Sequence, residues 1–247
     1  MALCEFYYAF ADHNEPSTQH LQRAYYTKAQ LAQEIYPTML YHAPYYSFGI
    51  NPCCWSKVFK KELLEQCLYP VTPKVKIGED AAFTYPCLLA AESLAYVDGC
   101  LYHYRNNAQS MTAAFDPHLT ETIFIPLDIL RTYFDTDKRA LFAQYQMYAA
   151  YLLQLWVRNQ ASLDCDLDRK GLRQSCARVL PKSGVAGTAG VCSRCLAKTG
   201  SGCRACCAAA KAGSAVFADQ SLEFCITNCV MGEHNGLWKS QRDRTDL

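Results

Sequence analysis

The chain has almost no net charge, no long uninterrupted apolar run and no leader-like start. Its 247 residues carry 24 Lys and Arg against 23 Asp and Glu, a formal +1. That balance gives no electrostatic case for nucleic acid or for an anionic membrane surface, so partners have to be argued from a site. The longest apolar stretch, Tyr145 to Val157, is interrupted by Gln146 and Gln154 and is too short to span a bilayer. It predicts a buried helix. The first residues, Met1 to Phe10, show no basic segment, apolar core and small-residue cleavage site in succession, so the 15 cysteines are read as reduced thiols of a cytoplasmic protein rather than a secreted disulfide framework.

What is present is ordinary globular composition, 51% hydrophobic and 19% charged, with a high aromatic share of 13%. Such a length supports one ample core or two modest ones. Met1 to Phe10 is apolar and aromatic and predicts a strand with no room for a start signal before it, which suggests that a preceding part of the domain is missing. Ala11 to Ala24, polar and containing Pro16, predicts a loop. Thr27 is the expected N-cap of a helix whose apolar positions are Leu31, Ile35, Met39 and Leu40, kinked or ended by Pro37. Trp55 to Leu64 predicts a short helix.

Pro70 to Ile77 then forms an extended approach, Gly78 allows a turn, and Glu79 and Asp80 open a helix that continues through Phe83, Cys87 and Ala90, with a kink or tightened turn at Pro86. Ser93 to Arg105 predicts two strands around a turn at Asp98-Gly99, with Tyr102 and Tyr104 on one face and His103 and Arg105 on the other. Thr120 to Tyr133 and Lys138 to Val157 have helical periodicity.

Three pieces carry chemistry: Trp55-Ser-Lys57-Val-Phe59-Lys60, then Glu79-Asp80, then Tyr102-His-Tyr104-Arg105 with Ser110 after a polar loop. Two carboxylates in the first turn of a helix are, by themselves, the common way to satisfy its free N–H groups and positive dipole end. In this order and spacing, however, the three pieces resemble the second half of a family 2 glycosyltransferase domain, over residues 1 to 160. The resemblance implies an α/β fold, the acceptor-side part of a nucleotide-diphospho-sugar transferase of GT-A type. It implies inverting transfer of a sugar from a nucleotide-sugar donor to a glycan or lipid-linked acceptor, as in bacterial surface polysaccharide assembly. Asp80 would be the general base that takes the proton of the acceptor hydroxyl, and Glu79 would orient it or bind acceptor hydroxyls.

Under the same resemblance Trp55 packs beneath the acceptor side. Lys57 either bridges to a site carboxylate or contacts diphosphate, while Arg105 and Ser110 belong to a loop over the donor. Arg105 is equally a candidate to bridge to Glu79. Family members bind a divalent cation, Mg or Mn, through an Asp-x-Asp that ends the nucleotide-binding half. No such half precedes Met1. The tripeptides Asp135-Thr-Asp137 and Asp164-Cys-Asp166 lie downstream in helical or linker context and are read as solvated charge, so no residue is assigned to metal and this chain alone is expected to be inactive.

The organisation expected is an acceptor-side half-domain over 1–115, a helical extension over 116–175 and a low-complexity cysteine-rich tail over 176–247. Peripheral contact with the inner face of a membrane, packing and acceptor choice all stand open for the helices. In the tail, Cys192-Ser-Arg-Cys195 and Cys203-Arg-Ala-Cys206 have the paired form of a zinc site. An out-of-frame or disordered segment and an ordinary helical tail are the competing readings. The rival function is accordingly a non-enzymatic fragment or a zinc-binding interaction protein organised around those cysteines.

Overall fold

The computed structural model describes residues 1–19, 21–42, 47–67, 73–105, 114–134 and 139–160, together with Gly171, Gln174, Ser175, Arg178 and Val179. Ser110, both Asp-x-Asp tripeptides and every cysteine pair of the tail lie outside them. The architecture is mixed α/β. The chain divides into two compact units, one made of Met1–Ala114 with Glu121–Tyr148, the other of Phe115–Thr120 with the residues from Ala149 onward.

In the first unit the apolar opening segment is strand β1, Ala2–Ala9, at the middle of a mixed sheet. One edge of β1 pairs antiparallel with β2 (Asn14–Ser17), through Phe6 to Ala9, and with a two-residue β4 (Lys57–Val58), through Ala2 and Leu3. Its other edge runs parallel to β5 (Ser93–Arg105), which in turn pairs antiparallel with β3 (Tyr25–Thr27). The expected loop over 11–24 therefore contains a strand. Pro16 sits within it opposite Tyr7, and an edge position tolerates a residue with no N–H to give.

Asp98-Gly99 does not reverse the chain. Val97 pairs with Cys4 and Cys100 with Glu5, then Tyr102 with Phe6, so the extra residues bulge out of one continuous 13-residue strand. Gly99, at φ +100°, supplies the left-handed backbone that the bulge needs. A hairpin turn would require the two halves to pair with each other. Here both pair with β1 in the same direction, and the parallel partner decides the outcome.

Thr27 caps the following helix reciprocally: its hydroxyl accepts from Gln30 N–H (3.4 Å) while Gln30 Oε1 accepts from Thr27 N–H (2.9 Å). α1 (Lys28–Gln30) widens into a π-helical turn, Leu31–Ile35, and ends in the turn containing Pro37. Leu31, Ile35, Met39 and Leu40 are all buried, as their spacing requires. The helix expected over 55–64 is instead broken: Cys54–Ser56 make a 3-10 turn, Lys57–Val58 form β4, and α2 covers Lys61–Cys67. Lys57 is drawn inward by backbone carbonyls, and the ladder to Leu3 extends the chain there.

α3, Glu79–Ala90, starts directly after Gly78, whose φ is +88°, and runs on past Pro86. An added Cβ on Gly78 would sit 3.0 Å from Pro126 Cγ and 3.2 Å from the Tyr148 hydroxyl, so both backbone conformation and space require glycine. Pro126 belongs to α5 (Phe124–Tyr133), which follows the single turn α4 (Leu119–Thr122). α6 runs from Arg139 to Gln160. Within the first unit, Gln144 of α6 accepts from Leu40 N–H (3.0 Å) and donates to the Tyr36 carbonyl (2.7 Å).

In the second unit, Asn159 and Asp116 exchange two hydrogen bonds: Asp116 N–H donates to Asn159 Oδ1 (2.8 Å), and Asn159 Nδ2 donates to the Asp116 carbonyl (2.9 Å). The Trp156 indole donates to Thr120 Oγ1 (3.0 Å). Among the described residues no helix is long and apolar enough to cross a membrane.

Candidate functional site

The site is organised by the loop from Ile50 to Lys57, whose backbone groups are tied on several sides. Ile50 N–H donates to the Met39 carbonyl (2.9 Å), and Asn51 N–H to Gln19 Oε1 (2.9 Å). From α3, the Tyr85 hydroxyl donates to the Ile50 carbonyl (2.8 Å) and Thr84 Oγ1 to the Pro52 carbonyl (2.6 Å). Buried backbone carbonyls need donors, and two neighbouring residues of one helix provide them.

Lys57 lies at the centre of this loop and is only 9% exposed. Its Nζ donates to the carbonyls of Asn51 (2.6 Å) and Cys53 (2.7 Å) and to Ser56 Oγ (3.3 Å). Among the described residues no carboxylate comes within ion-pair distance of it. Burial lowers its pKa, opposed by the nearby Cys53 and Cys54 thiols and by Asp80. The ammonium is thus a post inside the loop: neither the expected salt bridge nor a free contact for diphosphate is what these donors make.

Asp80, half-buried in the first turn of α3, lies close enough to the loop for its charge to act on the Cys54 thiol. Cys54 Sγ also lies 3.6 Å from Thr84 Oγ1, one helical turn along α3 from Asp80. Burial and then the Asp80 charge push the Cys54 thiol up to about 12, so it stays a neutral S–H beside the carboxylate. Glu79 is half-buried next to it. Burial raises its pKa, its own backbone N–H opposes this, and Asp80 adds a smaller increase.

Trp55, the residue after Cys54, packs onto the sheet. Its ring stacks on Tyr102 (centroids 4.4 Å apart, 24° between planes) and Tyr104 (5.1 Å, 16°) and meets Phe6 edge-on (4.6 Å). Tyr8 joins the cluster edge-on to Phe6 and Tyr104. Tyr8 and Tyr102 remain 38% and 39% exposed, so this aromatic face is open at its outer side. Burial raises the Tyr8 pKa, and the neighbouring Cys53 adds to the increase.

Three separated segments therefore meet: Asp80 with Glu79, the loop carrying Trp55 and Lys57, and the Tyr102/Tyr104 strand. Arg105 is not brought in with them. It ends β5 exposed, opposite Ala9, and alternation sets it on the face of His103, away from Trp55. Ser110 lies outside the described residues. The sequence reading overlooked Cys54 and Thr84. The first sits beside Trp55 and the second four residues beyond Asp80, a spacing that puts two side chains on one helix face and was available as a signal.

A divalent cation of the kind the family resemblance implies needs several oxygen ligands. Among the described residues no group of three His, Cys, Asp or Glu side chains is placed to hold a metal ion, so no step is derived through one. The arrangement can present one carboxylate, flanked by neutral thiol and hydroxyl groups, near an exposed aromatic face. Compared with known proteins, the chain matches no family model, no curated protein and no solved structure.

Proposed function

We propose that residues 1–115 are the acceptor-side half of a family 2 glycosyltransferase site of GT-A type, in which Asp80 is the general base. The observation that carries this reading is the packing of α3, one turn on from Asp80, against the Cys54-Trp55 loop through Thr84, and of Trp55 on Tyr102 and Tyr104. A pair of carboxylates that merely capped a helix would need no such neighbours. In inverting transfer, an acceptor hydroxyl oxygen attacks the anomeric carbon as the nucleoside diphosphate leaves from the opposite face, and the hydroxyl proton passes to Asp80. The base must reach that proton within hydrogen-bond distance, which favours a short side chain on a rigid helix. Aromatic side chains suit the apolar faces of sugar rings, in keeping with a glycan or lipid-linked glycan as acceptor.

The test is release of nucleoside diphosphate from a panel of sugar nucleotides in the presence of acceptor glycans, by the wild-type chain and by Asp80→Asn. Loss of a positioned base lowers the rate by about 10²–10⁴-fold. Turnover that Asp80→Asn leaves intact refutes the assignment. For a chain that turns nothing over, 5-fluorotryptophan NMR supplies the readout: acceptor glycans shift the Trp55 resonance, assigned with Trp55→Phe, and Asp80→Ala reduces that shift.

A further inference from the structure

The sheet of the first unit has one face packed against the core and one open. Leu3, Tyr26 and Leu94 point to the packed face and are buried. The open face follows from the register: Val58 lies opposite Ala2, Ala2 beside Ala95, and Ala95 opposite Tyr25, so these four residues form one row across four strands. Val58, Tyr25 and, two residues beyond Ala95, Val97 are 72%, 56% and 43% exposed. Along β1 the same alternation carries this face on through Cys4 and Phe6 to Tyr8, and Tyr102 lies opposite Phe6. Among the described residues six large apolar side chains are exposed. Five stand on this face, and the sixth, Leu101, is in the bulge of β5 beside it.

Outside the bulge, the one charge that the strands place on this face is Glu15, opposite Tyr8 at its border, and His13 holds it (3.2 Å). A contiguous exposed apolar face marks an interaction surface, and a parallel pair such as β1 and β5 is normally covered on both sides. Anionic lipid, phosphate or nucleic acid would need cations, which these strands do not supply here. An uncharged sheet face is matched by another of its kind. Two stacked sheets bury both apolar faces, a two-fold axis lets one patch serve both copies, and the chain's formal +1 sets up no repulsion between them. The size agrees: four strands about 4.8 Å apart by eight residues of about 3.3 Å give about 500 Å² per copy, or about 1,000 Å² for two, the lower bound of a specific interface. We infer that this face docks a second copy of the chain in a reversible two-fold dimer. The dimer goes beyond the transferase reading and does not depend on it, although a second copy and an acceptor glycan compete for Tyr8 and Tyr102.

Sedimentation equilibrium of the full chain, under reducing conditions and without glycan, tests it. Wild type passes from monomer to dimer across the micromolar range, as an interface of this size allows. A carboxylate enclosed between two apolar faces has no partner, so Val58→Glu weakens the dimer at least about tenfold, and Val97→Lys does the same should the first variant fail to fold. His103→Glu, on the other side of β5, leaves the dissociation constant unchanged. The inference is overturned if wild type stays monomeric at several hundred micromolar, or if a folded Val58→Glu or Val97→Lys chain dimerises as well as wild type. A wild type that stays monomeric but co-sediments with phosphatidylcholine vesicles also overturns it and assigns the face to a lipid surface.

Discussion

Replacing Lys57 by methionine tests whether the buried ammonium holds the site loop or is merely tolerated by it. Methionine has nearly the length of the lysine stem, so little volume is lost. What is lost are the donors to the Asn51 and Cys53 carbonyls, at 2.6 and 2.7 Å. Ser56 Oγ keeps a partner in Cys53 Sγ, 3.1 Å away. Two buried carbonyls left without donors cost about 1–3 kcal/mol each. Against this stands the relief of desolvating an ammonium, itself several kcal/mol. Because the loop carbonyls, the thiols and Asp80 already compensate the charge in place, the loss of donors to the two carbonyls dominates, and a net cost of about 2 kcal/mol is expected.

That is a large share of the roughly 5–15 kcal/mol by which domains are stable. Urea unfolding followed by tryptophan fluorescence reads it as a lower midpoint. The pH dependence gives an independent check. With its native pKa lowered from 10.5, Lys57 binds fewer protons in the native than in the unfolded state between that lowered value and 10.5. Wild-type stability therefore gains from this residue as pH rises through the window, a gain that methionine lacks. The difference between wild type and Lys57→Met widens toward pH 10. A variant as stable as wild type, or a difference that narrows as pH rises, refutes the reasoning.

Two further variants probe the head of α3. Gly78→Ala forces a left-handed backbone on alanine and brings its Cβ against Pro126, at a cost of about 1–3 kcal/mol, whereas Gly99→Ala, with nothing within 4 Å of the added carbon, suffers the backbone cost alone. Equal thermal shifts for the two would show that contact with Pro126 is unimportant. Glu79→Gln works in the other direction. The Glu79 carboxyl has its native pKa raised above 4.5, so the native state binds more protons than the unfolded state just above that value, and stability falls as pH rises through the window. Glu79→Gln is therefore more stable than wild type at pH 7, with the difference vanishing below pH 4.5. The same gain at pH 7 and pH 4, measured by urea midpoints, would assign it to packing instead.

Local pattern alone determined the opening strand, the Thr27 cap, the start of α3 at Gly78 and the shared face of Tyr102 and Tyr104. Each depends on side-chain periodicity or on backbone preference within a few residues. The same local chemistry left Asp98-Gly99 ambiguous, because a positive φ serves a turn and a bulge alike, and only the parallel partner β1 selected the bulge. Lys57 was equally illegible. A long cationic side chain in sequence suggests a surface or a ligand, and the carbonyls that draw it inside exist only once residues 51–53 are folded against α3. The identity of the Asp80 neighbourhood was likewise a tertiary matter, since Cys54 meets Thr84, one helical turn along from Asp80, only in the folded chain. Sequence specifies elements through interactions between near neighbours, whereas a site is made of contacts whose partners are chosen by how those elements pack.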